Sequence, residues 1–291
     1  MGIIIESTAL SGDPASHSSV ELAGQAGRDC IAAAGLSPRD VDLLINVGIF
    51  RDRNRCEPGL AAMIQRIVGM NLDYCDGAHA ATSFDLMNSA CGALNAVQVA
   101  SGFLLTGSAR RVLIVSSDVH PANRRVEGFP YANIGAAMLV RAEDGDGRGF
   151  GPLATASTGV AYAGVRAHVP PVDAAHQVLN VEIDADYAAR ALALATSLAR
   201  DYVDRERVDL RETLLVTTHP TPTFAAVLAR GLGVDEGAVV TPQGLDGDPH
   251  SSALTWGYHV AHARGLDACV RNVLFVAAGA GLSAACAVYR R

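Results

Sequence analysis

Every other part of this chain has to be arranged around the stretch Ser83 to Ala100, SFDLMNSACGALNAVQVA. Past Cys91 its residues are small or apolar on nearly every side of a helix: Ala93, Leu94, Ala96, Val97, Val99 and Ala100, then Phe103 and Leu104. A helix without a polar face has to be enclosed by protein, so this one is expected at the centre of the molecule. A short β-like run precedes it, and Cys91 stands at the junction. A thiol at a helix start meets unpaired backbone N–H groups and the positive end of the helix dipole, which favours the thiolate and suits a nucleophile. A buried, inert core cysteine is an equal alternative on this stretch alone.

The surroundings supply what such a helix needs. Gly2 to Glu6 reads as a strand, and Ser18 or Ser19 caps a helix that Gly35 stops. DLLINVGI, from Asp42 to Ile49, is an apolar run bounded by breakers, as in a strand buried on both faces. Pro58 opens a further helix that Gly69 closes. The arginines at 51, 53 and 55 lie in the loop before it, either solvated or placed for an anionic partner. ARRVLIVSSD, from Ala109 to Asp118, and GAAMLVRA, from Gly135 to Ala142, are two more strands, and EDGDGRG is a turn-rich boundary.

The second half repeats the plan. Ala185 to Val203 is an amphipathic helix, and ETLLVTTH, NVLFVAAG and AACAVYR are strands. RRVLIVSSD corresponds to VRNVLFVAAG, and DLLINVG corresponds to TLLVTTH, each beside a VDL tripeptide. An internal duplication of a βαβ-type half follows, with halves at 1–145 and 146–291 in an α/β fold.

Composition removes several function classes. A net charge of -7 leaves no electrostatic footprint for nucleic acid. The six cysteines (Cys30, Cys56, Cys75, Cys91, Cys269 and Cys286) show neither CxxC pairs nor regular spacing, so neither a zinc site nor a disulfide framework is expected, and reduced thiols in a cytoplasmic protein are. The apolar N-terminal run is too short for a signal core, and no eighteen-residue apolar run suggests a membrane span.

A duplicated α/β fold with its cysteine at a central helix start resembles the thiolase superfamily, and the motifs resemble its β-ketoacyl-acyl-carrier-protein synthase III branch. Asp85 and Cys91 in FDLMNSACGA match the branch's D-x-x-x-x-C-[AS]-G run with one extra residue between them. VTTHP, with His219, matches V-x-x-H-Q; DPHSSAL places His250 at the branch's asparagine, as in the Cys-His-His elongating synthases; GAGLS matches the closing G-G-G-F-T loop with Gly279 and Gly281 retained. The other histidines, at 17, 79, 120, 168, 176, 259 and 262, match no motif and are expected to be structural.

The resemblance implies a five-layered α-β-α-β-α fold and an acyltransferase. Cys91 would take an acyl group from a thioester, and the amides of Cys91 and Gly281 would form the oxyanion hole. His219 and His250 would hydrogen-bond the carbonyl of a malonyl-type thioester as it loses CO2 in a Claisen condensation. No permanently bound cofactor or metal is implied. Substrates would be thioesters of coenzyme A or a phosphopantetheinyl carrier protein, and the protein would form a homodimer or pair with a related subunit. Glu57, Gly279, Phe224 and Ser251 fall at substrate-pocket positions: Glu57 stands where the branch has a gating phenylalanine, and Phe224 where it has a carrier-docking arginine. Ser7 to Ser19 carries neither Trp nor Arg for a coenzyme A grip. Acyl transfer to oxygen, nitrogen or water, and a non-catalytic partner subunit, remain as alternatives. A biosynthetic thiolase is disfavoured, since no C-x-G-G loop is present and Cys286 falls inside the closing strand.

Overall fold

LLIN and RVLIVSS, apolar runs without helical period, become neighbouring parallel strands, as expected of segments with no polar face to offer water. The computed structural model of the chain describes residues 1–12, 16–55, 57–71, 80–145, 147–159, 164–168 and 179–291. Cys56, Cys75, His79 and His176 lie outside the described residues, as does part of the Ser7 to Ser19 segment.

The first half runs β1 (Gly2–Ser11), α1 (Ser19–Ala33), β2 (Leu43–Asn46), α2 (Leu60–Val68), β3 (Thr82–Asp85), α3 (Gly92–Leu105), β4 (Arg111–Ser117) and β5 (Gly135–Glu143). Its sheet has the order β1-β5-β4-β2-β3. The strand expected to end at Glu6 continues to Ser11, because β5 pairs with it along its whole length across a register shift between Ile5 and Ser7. Glu6, at the shift, is ion-paired to Arg111 at 2.8 Å. Helix α1 begins where a serine can cap it: the Ser18 hydroxyl accepts from the Glu21 amide at 3.2 Å, a contact generally worth about 1 kcal/mol.

The second half runs β6 (Gly149–Phe150), β7 (Ala154–Ser157), β8 (Val165–His168), β9 (Asn180–Ile183), α4 (Tyr187–Glu206), β10 (Thr213–Thr217), α5 (Phe224–Leu232), α6 (Ala253–Ala263), β11 (Asn272–Gly279) and β12 (Ser283–Arg290). β10 pairs parallel with β11 and β11 antiparallel with β12, repeating the relation of β2, β4 and β5. β7 lies antiparallel beside β12 as β1 does beside β5. An isolated parallel bridge from Leu215 to Val239 stands where β3 stands beside β2.

Four apolar clusters separate five layers, as the thiolase resemblance implied. Helices α1 and α2 cover the outer face of the first sheet, and α4 and α5 cover the outer face of the second. Between the sheets, α3 packs on the first through Ala96, Val97, Ala100 and Leu104. Its Ala93 and Leu94 join α6 and the inner face of the second sheet. Gly92 lets the start of α3 come close: a Cβ there would sit 3.0 Å from Val47 Cβ. Enclosure is incomplete. Phe103 is 38% and Leu105 52% exposed, on a side of the helix that Gln98 and Gly102 also leave open, while Leu104 beside them is buried. Among the described residues, no helix is long and apolar enough to cross a membrane.

Candidate active site

The fold brings several chain-distant segments to one cavity of about 400 Å3, lined among others by Ser89, Ala90, Tyr131, His219, His250 and Ala278. His219 arrives from the C-terminal end of β10. Thr218 extends that strand's pairing, its hydroxyl accepting from the Ala278 amide at 3.0 Å, so the next residue is delivered into the cavity. The His219 ring lies edge-on to Trp256 at 6.3 Å, is only 6% exposed, and neither ring nitrogen has a hydrogen-bond partner among the described residues. Burial pushes its pKa down to about 4, so at neutral pH it is a neutral imidazole with one N–H to donate.

His250 opens a single 3-10 turn, His250–Ser252, that leads into α6. Its backbone is left-handed, φ 45, and its amide donates to Asp248 Oδ1 at 2.8 Å. The ring is stacked on Tyr131 at 4.2 Å. Its Nδ1 lies 2.8 Å from Asp118 Oδ2, just past the end of β4. Asp118 is fully enclosed by donors: the Ile49 and Phe50 amides reach Oδ1 at 2.8 and 2.9 Å, and the Ser251 amide and hydroxyl reach Oδ2 at 3.2 and 2.5 Å. Burial opposes charge on both members of the pair, but the imidazole and these donors hold the Asp118 carboxyl below its usual range. Burial likewise pulls His250 down, and the Asp118 charge outweighs it and raises the imidazole above its ordinary value. A carboxylate only accepts, so Nδ1 carries its proton and the neutral ring turns the Nε2 lone pair outward. That nitrogen lies 2.8 Å from the hydroxyl of Ser89.

Cys91 is elsewhere. It is the N-cap of α3, 1% exposed, with its Sγ 3.7 Å from the carbonyl and the hydroxyl of Ser283. The cavity is lined by Ser89 and Ala90 but not by Cys91. The helix start favours a thiolate, yet burial dominates and pushes the thiol up to about 11.

The two amides expected to form the oxyanion hole, those of Cys91 and Gly281, do not line the cavity. The Cys91 amide is used by the Asn88 carbonyl at 3.0 Å, and Gly281 is exposed. The Ala280 amide is the donor at the site, 3.2 Å from Ser89 Oγ. Gly279 does not line the cavity, yet it is packed behind Ser89: a Cβ on it would sit 3.1 Å from Ser89 Cβ. Ser251 serves as a support, through Asp118. Phe224 is in the apolar core of the outer layer, since its side chain begins α5 and faces the second sheet rather than a docking surface. Glu57 is exposed and outside the lining of this chain's cavity.

Of the remaining expectations, Asp85 holds a helix start rather than chemistry, accepting from the Leu60 and Ala61 amides at 3.0 and 2.8 Å. Arg51 lies 3.8 Å from Asp85 and outside the lining of the cavity. His259 bonds Thr8 at 3.0 Å and His262 bonds Asp267 at 2.9 Å. Ser89, Asp118 and Tyr131 were not read as functional. A serine two residues before a helix-start cysteine and an aspartate ending a strand are ordinary signals alone; only their meeting on His250 distinguishes them.

No protein-family model matches the chain. A 102-residue segment is 38% identical to β-ketoacyl-[acyl-carrier-protein] synthase III of Gloeobacter violaceus, covering 35% of this chain and 28% of that protein. The whole fold superposes on the 3-oxoacyl-(acyl carrier protein) synthase III of Pseudomonas aeruginosa with a TM-score of 0.81, covering 100% of this chain and 98% of that one at 19% identity. The chain has the fold of this synthase, and one segment of it is similar in sequence to synthase III. The priming β-ketosynthase of the R1128 polyketide pathway superposes equally well, TM-score 0.82 at 18% identity, covering 99% of this chain and 96% of that one. The segments by which the chain matches its first curated relatives cover 26% to 40% of their length.

Proposed function

We propose that the chain is a condensing acyltransferase. It takes an acyl group from a thioester of coenzyme A or of a phosphopantetheinyl carrier protein, holds it covalently at the start of α3, and joins it to a malonyl-type thioester with loss of CO2. The observation that carries this reading is the delivery of two different imidazoles into one cavity over that helix start. His219 is neutral and unpartnered, a donor waiting for an acceptor; His250 is backed by a buried carboxylate. The likeness to synthase III proteins supports it.

In this reading the His219 N–H hydrogen-bonds the thioester carbonyl of the malonyl unit. The electron pair of the breaking C–CO2 bond becomes an enolate, and that buried donor stabilises the charge on oxygen. The enolate carbon then attacks the acyl carbonyl, giving a β-keto thioester. The partners would be a carrier protein or coenzyme A thioesters, with a second copy or related subunit beside this one, in fatty-acid-like or polyketide metabolism. The cavity is also lined by aromatic, proline and aliphatic residues such as Tyr187, Pro220 and Leu245, which suits an acyl chain.

A second reading has one specific observation in its favour. His250 with Asp118 behind it is a general-base arrangement, which suits acyl transfer to an alcohol, an amine or water. Incubation with an acyl thioester and a malonyl thioester separates the two: CO2 release with a β-keto product of the summed mass is expected, whereas acyl turnover only with alcohol, amine or water would replace the first reading with the second. Absence of any thiol release with all donors would leave a non-catalytic subunit.

A further inference from the structure

We propose that the acyl group is carried on Ser89 as an oxygen ester, with Asp118, His250 and Ser89 acting as a charge-aligned relay, and that Cys91 is a core thiol beneath it. The inference rests on the acyl-transfer reading and specifies its nucleophile.

Four independent features place Ser89 there. Its hydroxyl lines the cavity that His219 and His250 share. Its Oγ lies 2.8 Å from His250 Nε2, the nitrogen left free for it by the 2.8 Å contact from Nδ1 to Asp118. The Ala280 amide points at the same oxygen from 3.2 Å. Its backbone is left-handed, φ 46, in a turn directly before α3. A non-glycine residue in that conformation is strained, and such strain persists where surrounding structure holds it, characteristically at active sites. A serine kept only for packing needs neither a strained turn nor a base aligned on its oxygen. An alcohol, unlike a thiol, does need a base to become nucleophilic near neutral pH. The Cys91 thiol, by contrast, does not line the cavity, and among the described residues its hydrogen-bond partner is Ser283 rather than a base.

The step balances without any redox partner. The Ser89 Oγ–H proton passes to His250 Nε2 as the oxygen lone pair forms a bond to the thioester carbonyl carbon. The carbonyl oxygen takes the negative charge, with the Ala280 amide nearby as donor. Collapse breaks the C–S bond, and the departing sulfur takes the proton from His250, leaving a free thiol, an acyl ester on Ser89 and a neutral imidazole. When the enolate attacks that ester, the C–O bond breaks and Ser89 recovers a proton, drawn from water through His250.

The test uses the full-length protein incubated with acetyl, butyryl and octanoyl thioesters of coenzyme A. Intact mass and peptide mapping locate the adduct, and thiol release is followed in parallel. The expected adduct maps to Ser89, survives neutral hydroxylamine as an oxygen ester does, persists in Cys91→Ala and is lost in Ser89→Ala, with thiol release slowed by about 10³-fold or more. Ser89→Cys supplies a second measurement that does not depend on loss: its adduct should form at the same position and become labile to neutral hydroxylamine. An adduct that maps to Cys91, disappears in Cys91→Ala, or is hydroxylamine-labile in the unaltered protein overturns the proposal while leaving the acyl-transfer reading intact. If the unaltered protein forms no adduct yet releases thiol, loss of that release in Ser89→Ala but not in Cys91→Ala supports it, and the reverse overturns it. No thiol release from any donor overturns the acyl-transfer reading, and this inference with it.

Discussion

Ser89 and His250 meet at 2.8 Å across 161 residues of chain, and both hold left-handed backbones, φ 46 and φ 45. Each such residue is generally disfavoured by about 1–3 kcal/mol. The pair is therefore held in place by its surroundings: Asp248 and Asp118 on the His250 side, Gly279 and the Ala280 amide on the Ser89 side. Two strained turns aimed at one hydrogen bond form the rigid element of the site.

The base form of His250 should govern the pH profile. Asp118, Asp248, Tyr131 and Ser89 face its ring, and the Asp118 charge raises its pKa above the ordinary value of about 6.5. Since the base form exists above that pKa, kcat/KM for acyl transfer should rise with pH through an inflection above about 6.5. In Asp118→Asn the inflection should move down and the plateau should fall by about 10²–10⁴-fold; an unmoved inflection would detach Asp118 from the step.

Stability should depend on the same pair with a definite sign. Asp118 has a lowered folded pKa, so its contribution is present above about pH 4 and is lost as pH falls through the lowered value. His250 has a raised one, so its contribution is complete below about pH 6.5 and declines as pH rises through the raised value. Asp118→Ala strands the imidazole, two loop amides and the Ser251 donors, and should lower unfolding free energy by about 3–5 kcal/mol. Denaturant melts between pH 4 and 6.5 check it, where the wild-type pair contributes most.

His219→Leu should separate stability from activity. The buried ring leaves both nitrogens unpartnered, a burden of about 1–3 kcal/mol, so the leucine variant is expected to melt at a higher temperature while losing decarboxylation of a malonyl thioester. His219 has a folded pKa of about 4. Its unfolded form binds a proton first, so wild-type stability should fall between about pH 6.5 and 4. That acid loss should be absent from the variant.

Gly279→Ala tests the positioning of Ser89 without touching its chemistry. The added methyl would sit 3.1 Å from Ser89 Cβ and 3.3 Å from the Ala90 amide nitrogen, so the strained turn has to shift by a few tenths of an ångström. A fall in kcat of about 10²-fold with KM little changed is expected from such a misplacement. Gly281→Ala meets open space at φ 73 and should only lower stability, by about 1 kcal/mol.

Asp85→Ala should behave as a structural change. Its carboxylate holds the first amides of α2 and the Asn46 amide, so about 1–2 kcal/mol of stability should be lost, with acyl-transfer rates per folded molecule unchanged. A selective loss of kcat would return Asp85 to the chemistry.

The elements of this fold were largely legible because each has a local signature. Helix α1 starts at a serine cap, α2 ends at Gly69, and the runs that became β2, β4, β10, β11 and β12 are apolar without helical period. The short strands β6 to β9 and the helix α6 carry no such signal, since two to four residues show no period and α6 is apolar through Leu254, Trp256 and Tyr258 much as a buried strand would be.

The site divides the same way. His219 and His250 stand out because VTTHP and DPHSSAL match two motifs of the synthase III branch, and the two residues share a cavity. The sequence by itself determined the two-sheet repeat and the central helix, which are consequences of local pattern, while those histidines stood out only through the resemblance to the synthase III branch. Which oxygen or sulfur faces them was decided only by the tertiary structure. One residue of register in the turn before α3, fixed by the Cys91 amide bonding Asn88 and the Gly92 amide bonding Ser89, buries the sulfur against Ser283 and turns Ser89 toward a base that Asp118 aligns from another strand.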